Sequence, residues 1–398
     1  MIQEKQKLSG TLNSKQFLNG TLSNSVIYVD PITQEKTVIP TAGQQIVTPD
    51  EEYTGLSKVT VEAIQDENIK SENIKNGVDI LGVTGNYVGS KYAPRYISFR
   101  DCTETDLTEE TSNLDTKNIT SMKNMFYQCK SVTSLDLSSW DTSKVTSMES
   151  MFYYCQNATE IDVSNFDTSS LTTIKGMFNN CNKVTSLDVS NWDTSNISGE
   201  LSSVFNSCRA IKQLDLSNWK LSNITNMNSM FYYCDSLTEI DLSGFDVSSV
   251  TSMSSCFNYC PNLTSLNLEG WDTSKVTSAG SMFQTCQKLT YLPMLDASSM
   301  TSISNILSSC NSLSDFGGLK DLGKAYLTTR SANYSDYKLY LSACNNLTHD
   351  SLMNVINNLY DIKTAGCNAQ TLQLGPTNLA KLTEEEIAIA TNKGWTVS

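Results

Sequence analysis

Apolar residues recur in this chain at fixed slots about 26 residues apart. Read from Met125, one unit is M-F-Y-Q-C-K-S-V-T-S-L-D-L-S-S-W-D-T-S-K-V-T-S-M, and the pattern returns from Met151, Met177, Met230 and Met282. Within it, Ser134 to Ser138 (S-L-D-L-S) alternates polar and apolar with period two, which predicts one short strand with Leu135 and Leu137 turned inward. A single strand cannot bury its own apolar face. Consecutive units must partner one another, so identical strands are expected to stack into a parallel sheet with rungs roughly 4.8 Å apart. The other apolar slots form ladders in step. Phe126, Phe152, Phe178, Phe205, Phe231, Phe257 and Phe283, followed by Leu307, make one; Trp140, Phe166, Trp192, Trp219, Phe245 and Trp271 make another. Rings that bury on the order of 150 to 250 Å² each give such a stack a core without cofactor or crosslink.

Eight cysteines mark the same period: Cys129, Cys155, Cys181, Cys208, Cys234, Cys260, Cys286 and Cys310, spaced 26, 26, 27, 26, 26, 26 and 24 residues apart. The short last step reflects a two-residue deletion, where Leu292-Pro293-Met294-Leu295-Asp296 replaces the longer L-N-L-E-G-W-D of the preceding unit. Phe99-Arg100-Asp101-Cys102 repeats the F-x-x-C phrase 27 residues before Cys129 and reads as a degenerate first rung. Cys256 stands in the slot that methionine fills in other units, so there the thiol serves as a small apolar side chain. The ladder is therefore expected to hold mostly free, buried thiols. Neighbouring rungs bring Cα atoms within disulfide range, but parallel Cβ vectors disfavour the bond. A zinc site is not expected, since the chain has no C-x-x-C pair and one histidine.

The two ends have other textures. Leu8-Ser9-Gly10-Thr11-Leu12 and Leu18-Asn19-Gly20-Thr21-Leu22 are copies of one Gly-centred β phrase, and Gly55 to Val61 alternates as a strand. After Cys310 the period stretches, and Leu341-Ser342-Ala343-Cys344 reads as a further rung. Thr348 caps a predicted helix with the stripe Leu352, Val355, Ile356 and Leu359. A strand is expected over Thr371 to Leu374, and Thr383-Glu384-Glu385-Glu386 has capping-box spacing for a final helix that Gly394 ends. This last segment would cover the open end of the stack.

The repeat resembles the BspA-like leucine-rich repeat family of bacterial surface proteins, in the variant with M-F-x-x-C-x-x-L-T-S-L-D-L-S-x-W-D-T-S units, over residues 99 to 310. The resemblance implies a leucine-rich-repeat-type solenoid and a binding or adhesive role. A second resemblance covers the phrases T-P-D-E-E-Y-T-G-L-S-K-V-T-V at 48 to 61 and N-I-K-N-G-V-D-I-L-G-V-T-G at 73 to 85, which look like segments of structural proteins of tailed phages of Gram-positive bacteria. It implies an N-terminal anchor that mounts the repeats on a virion. A generic small β domain or linker is the alternative.

Charge narrows the partners. The chain is net -14, and residues 1 to 100 hold 10 Lys and Arg against 11 acids, so the excess lies in the remainder. An acidic stack repels phosphate backbones, which argues against nucleic acid and leaves carbohydrate or a basic protein surface. No apolar run approaches the roughly 20 residues that span a bilayer, so no membrane insertion is expected. The first residues, Met1-Ile2-Gln3-Glu4-Lys5-Gln6-Lys7, show neither an apolar signal core nor a lipid-attachment cysteine, so secretion by the usual route is not expected.

No nucleophile, base and acid converge in sequence, and no catalytic, cofactor or metal residues are assigned. Two acidic rows recur. Asp136, Asp162, Asp188, Asp215 and Asp241, continued by Asn267, lie between inward leucines and point outward, either as a solvated sheet face or as a surface for Ca²⁺ or sugar hydroxyls. Asp141, Asp167, Asp193, Asp246 and Asp272 open the D-T-S or D-V-S phrase and read as turn formers, with Lys220 breaking the row. Tyr153, Tyr154, Tyr232, Tyr233 and Tyr259 flank the F-x-x-C phrase and either expose rings for sugar stacking or pack along an edge.

The expectation is an α/β repeat protein: a β-rich N-terminal anchor over 1–90, a leucine-rich-repeat-type solenoid with a parallel β-sheet over 91–347, and a C-terminal α/β cap over 348–398. Its expected role is non-enzymatic, as a phage fibre, spike or head decoration protein on the virion surface. The N-terminal domain would meet other virion proteins and the repeats a host-surface or mucosal glycan or protein, with a homo-oligomer also open. A bacterial cell-surface adhesin is the alternative.

Overall fold

A computed structural model describes residues 98–329 and 337–398, together with five short strands nearer the N-terminus. These are β1 (Leu8–Thr11), β2 (Thr33–Val38), β3 (Gly55–Val61), β4 (Asp79–Ile80) and β5 (Val83–Thr84). β3 pairs antiparallel with β1 and parallel with β2, and β4 pairs antiparallel with β5. β1 is the first Gly-centred phrase; its second copy at 18–22 lies outside the described residues. The chain divides into two compact units, Met1–Leu171 and Thr172–Ser398.

In the first unit, α1 (Thr108–Ser112) precedes the first full repeat. The backbone that joins rungs there is the M-x-x-M-F-x-x-C segment. The N–H groups of Met122, Asn124, Phe126 and Gln128 donate to the carbonyls of Ser147, Glu149, Met151 and Tyr153, at 2.8, 2.9, 2.7 and 2.6 Å. The intervening N–H groups close tight turns within the rung, Met125 to Met122 and Cys129 to Phe126. Each of these turns needs a left-handed residue in its third position, and Asn124 (φ +58°) and Gln128 (φ +59°) supply it. Inside, the Phe126 ring lies parallel to those of Phe99 and Phe152 at 5.2 and 5.4 Å, and Trp140 stacks on Phe166 at 6.4 Å.

The second unit repeats the arrangement. Phe178, Phe205, Phe231, Phe257 and Phe283 stack in order at 5.8, 5.6, 5.4 and 5.7 Å. Trp192, Trp219 and Phe245 form the parallel row at 6.1 and 6.2 Å. Short parallel strand pairs appear beside them: β6 (Gly199–Glu200) with β7 (Ile224–Asn226), and β8 (Glu239–Asp241) with β9 (Ser265–Asn267). Next, β10 (Tyr291–Leu292) and β11 (Leu295–Asp296) pair with β12 (Asp315–Phe316) and β13 (Leu319–Lys320). Together these make a repeat-type α/β arrangement with few helices.

The expected continuous sheet at S-L-D-L-S is corrected by this structure. A regular strand pair at that phrase is found at β8 and β9, with an isolated bridge from Asp106 to Ser134. Leu135 is only half-buried, although the equivalent Ile161, Leu187, Leu214, Ile240 and Leu266 are buried. Every central Asp carboxylate in these units, Asp241 of β8 included, accepts the N–H of the serine two residues on, so this turn bond and ladder pairing coexist.

The C-terminal residues follow α2 (Lys324–Thr329) and β14 (Lys338–Tyr340) with α3 (His349–Asn358), β15 (Gln370–Gln373), α4 (Pro376–Leu379), α5 (Glu384–Asn392) and β16 (Trp395–Val397). β15 lies between β14 and β16, all parallel. The predicted caps are present: the Thr348 side chain accepts from the Ser351 N–H, and Thr383 and Glu386 form a reciprocal capping box. Leu352, Val355 and Ile356 are buried as the stripe requires. Gly394 (φ +92°) ends α5 where a Cβ would meet Ile362 at 2.7 Å. β16 has no counterpart in the sequence expectation, because three residues, Trp395, Thr396 and Val397, are too short a window to show periodicity.

Candidate functional site

Stacking of like slots turns each repeated side chain into a row. In the outward acidic row the carboxylates of Asp136, Asp162, Asp188, Asp215 and Asp241 each accept the N–H and the hydroxyl of Ser138, Ser164, Ser190, Ser217 and Ser243, the hydroxyl bonds at 2.6 to 2.7 Å. Asn267 accepts from the Glu269 N–H at 3.1 Å. The serine hydroxyl and then its N–H hold Asp136, Asp162 and Asp215 below the usual carboxylate range, and for Asp241 the same two bonds act in the reverse order. One oxygen of each acid is thus committed to its own turn. Among the described residues no three His, Cys, Asp or Glu side chains gather as a metal site. The second row, Asp141, Asp167, Asp193, Asp246 and Asp272, makes the same turn bond to the serine two residues on.

The cysteine ladder faces inward and has a bond of its own. In the first unit the thiols of Cys129 and Cys155 donate to the carbonyls of Phe99 and Phe126, one rung back, at 3.0 and 3.2 Å. In the second, Cys208, Cys234, Cys260, Cys286 and Cys310 do the same to Phe178, Phe205, Phe231, Phe257 and Phe283 at 3.0 to 3.2 Å. Cys344 reaches Leu307 at 3.5 Å, which places the predicted extra rung in register. Cys181 is buried in the same slot. Burial pushes the thiols of Cys129, Cys155, Cys208, Cys234, Cys286 and Cys310 well above their ordinary range. They are structural donors with little thiolate character.

The tyrosines gather into two clusters, one in each unit. In the first, the Arg100 guanidinium lies 4.6 Å from the Tyr127 ring centre, Tyr127 stacks on Tyr153 at 4.7 Å, Tyr154 tilts against Tyr153 at 4.9 Å, and the Lys130 ammonium sits 5.8 Å over Tyr154. In the second, Arg209 lies 4.7 Å from the Tyr233 ring and pairs with Asp235 at 2.9 Å. Tyr259 stacks on Tyr233 at 4.5 Å, and Tyr232 meets both edge-on at 4.3 and 6.3 Å. Burial, then the Tyr233 hydroxyl, push Tyr232 up to about 12. Tyr259 keeps 37% of its surface exposed.

Three of these residues occupy backbone that bulky side chains avoid. Tyr154, Tyr233 and Tyr259 have φ of +62°, +57° and +58°, in the slot that Gln128, Asn180, Ser207, Thr285 and Ser309 fill elsewhere. Left-handed backbone costs an ordinary L-residue roughly 1–2 kcal/mol, and Asn less. A stacked aromatic pair returns about 0.5–1.5 kcal/mol. Gln128, Ser207, Thr285 and Ser309 bear the same backbone cost, so the ring contacts are what tyrosine adds in that slot.

The family described as "Mycoplasma protein of unknown function, DUF285" matches residues 96–213 and 199–316, together more than half of the 398. The chain belongs to this family. That membership fits the BspA-like repeat pattern over residues 99 to 310; the match does not reach the phrases at 48–61 and 73–85. No curated protein matches the chain. Among solved structures, the functional domain of InlJ from Listeria monocytogenes, described as including a cysteine ladder, is similar at 16% identity over 70% of this chain and 74% of that one. Its TM-score of 0.14 is too low to bear on fold or function.

Within this DUF285 repeat, the sequence expectation placed the acidic row and five tyrosines but missed their companions. Tyr127 was legible, since it shares the slot of Tyr153 one unit later. Arg100 and Arg209 were not, because each reaches the ring of the following rung and nothing in the linear order shows that reach. The buried threonines were also missed. Thr142 donates to the Asp167 carbonyl at 2.9 Å, and Thr116 and Thr194 accept the N–H groups of Asp141 and Lys220 at 2.8 and 2.7 Å, so the threonine that follows the turn aspartate ties rung to rung. In the sequence it reads only as a polar turn residue.

Proposed function

We propose that this chain is a non-enzymatic attachment protein whose stacked DUF285 repeats, forming a leucine-rich-repeat-type solenoid, bind a surface ligand multivalently. The observation that carries the reading is the paired set of tyrosine clusters: part-exposed rings on strained backbone, with Arg100 and Lys130 beside one and Arg209 beside the other. Weak contacts of this kind gain strength by copy number rather than by depth of pocket. The phage-like phrases at 48–61 and 73–85 support a finer reading, in which residues 1–90 anchor the repeats on a virion as a fibre, spike or head decoration protein. A cell-borne adhesin is favoured by the family description, which names a cellular organism.

Two measurements test this. Beads carrying many copies of the purified chain are expected to bind cells of the strain that yields it, and absence of binding refutes the attachment role. Immunogold labelling of a lysate with antibody to residues 99–398 is expected to mark fixed positions on virions. Gold on cell envelopes with bare virions replaces the virion reading with the adhesin.

A further inference from the structure

We infer that the C-terminal residues 337–398 form a hinged closure on the repeats, fastened along α3 and opening as a wedge at the seam between the last turn rung and β14. Along the second unit, every second N–H of the M-x-x-M-F-x-x-C segment donates to the next rung. Met253, Ser255, Phe257 and Tyr259 reach the carbonyls of Ser278, Gly280, Met282 and Gln284 at 2.8 to 2.9 Å. Ala279, Ser281, Phe283 and Thr285 reach those of Ser302, Ser304, Ile306 and Ser308 at 2.7 to 3.0 Å. One rung on, the ladder stops. The N–H groups of Ile303, Asn305, Leu307 and Ser309 have no acceptor among the described residues, although Ile303 and Leu307 are only 3% and 1% exposed.

The strand that follows offers acceptors out of step. In β14 the Tyr337 carbonyl and the Leu341 N–H are taken by Thr371 and Gln373 of β15 at 3.2 and 2.8 Å, and alternation turns the Lys338 and Tyr340 carbonyls the other way. Asn305 and Ser309 have φ of +57° and +62°, so the last rung is still a chain of turns. β14 is extended and advances about 3.3 Å per residue, so its carbonyls do not fall opposite those N–H groups. Side chains bridge the seam instead. Tyr337 Oη donates to the Met300 carbonyl at 3.1 Å, and Cys344 Sγ reaches the Leu307 carbonyl at 3.5 Å, against 3.0 to 3.2 Å for the thiols of earlier rungs in this unit. Along α3 the junction is tied by the backbone. The Thr348 N–H donates to the Ser314 carbonyl at 2.9 Å, the Asp321 N–H to Asn358 at 2.9 Å and the Tyr360 N–H to Leu322 at 3.2 Å. Ser351 Oγ accepts the Phe316 N–H at 2.9 Å, and Gly318 lies so close that a Cβ there would meet the Asn354 carbonyl at 3.0 Å. With one side bonded and the other not, opening starts at the unbonded side.

The test is amide hydrogen exchange followed by NMR on the full chain, without denaturant and in urea below the unfolding transition. It is repeated on Y337F, which deletes the phenol bond to Met300 and keeps the ring. Exchange at Ile303, Asn305, Leu307 and Ser309 is expected to be about 100-fold faster than at Ala279, Ser281, Phe283 and Thr285, the same slots one rung earlier, and to quicken with urea. Y337F should speed the seam amides by about five-fold more, with Phe257 and Phe283 unchanged and with Thr348 and Tyr360, on the α3 side, still protected. Seam amides as slow as Phe283 refute the opening. Fast seam amides that respond to neither urea nor Y337F refute it too, since they mark a static unbonded edge. Thr348 and Tyr360 exchanging together with the seam refute the hinge, because residues 337–398 would then be leaving the repeats as a whole.

Discussion

At the residue scale, the cysteine explains itself once its hydrogen bond is seen. The slot needs a side chain small enough for the interior and able to offer a donor to a phenylalanine carbonyl one rung back, and a thiol does both. Because those thiols are buried, they are expected to be silent toward a thiol reagent. In native protein, Cys367, which is half-exposed, should react with Ellman's reagent within minutes, and the other eleven, all buried, only on denaturation. Several fast thiols would show that the ladder opens readily. The inward direction of the cysteines was legible from their fixed period and from Cys256 standing in a methionine slot. The left-handed backbone at Tyr154, Tyr233 and Tyr259 was not, since nothing in a tyrosine announces positive φ.

At the scale of the element, the repeated Asp-x-Ser turn makes the fold acid-sensitive. Unfolded aspartates take up protons near pH 3.9, while Asp136, Asp162, Asp215 and Asp241 resist protonation to lower pH in the folded turns. The unfolded chain therefore binds more protons in that window. The stability these turns contribute is complete above about pH 5 and is lost as pH falls through the depressed folded values. Melting temperature followed by tryptophan fluorescence should be flat from pH 7 to about 5 and fall below about 4. Asp→Asn at 136, 162, 215 and 241 should lower the neutral-pH value and flatten the acid slope, because a neutral amide keeps the N–H bond, as Asn267 does, but not the charge. His349 has the opposite sign. Its Nε2 lies 2.8 Å from Glu386, and that bond, then the one to Asp350, raises its pKa, so the clasp between the starts of α3 and α5 holds below the ordinary histidine range and is lost as pH rises through the raised value. Amide exchange at Ser351 and Glu386 should be faster at pH 8.5 than at pH 6 after correction for intrinsic rates, and His349→Ala should abolish the difference. Both helices were legible from capping residues and apolar stripe; the clasp was not, because positions 349 and 386 meet only once β15 and α4 are folded between them.

At the scale of the whole molecule, the repeat period fixed which residues line up, but the element that bonds the rungs was misplaced. Alternation in S-L-D-L-S pointed to that phrase as the spine, whereas the longest run of inter-rung backbone bonds follows M-x-x-M-F-x-x-C, where turns rather than strands present every second N–H to the next rung. Hydrophobic period detects burial, and it cannot tell a stacked turn from a stacked strand when both bury alternate residues. The consequence is that cooperativity along the second unit runs through the phenylalanine column directly beneath those turns. Phe231 stacks on Phe205 at 5.6 Å and on Phe257 at 5.4 Å, so truncating it removes two ring contacts and opens a void between rungs. Phe231→Ala should cost about 3–5 kcal/mol. Because each repeat is held by its neighbours, the loss should spread to both sides. Hydrogen exchange is expected to accelerate at Phe205, Met230 and Phe257 together, and the thermal transition to broaden. Acceleration confined to residues 230–234 would show instead that each rung is stable on its own.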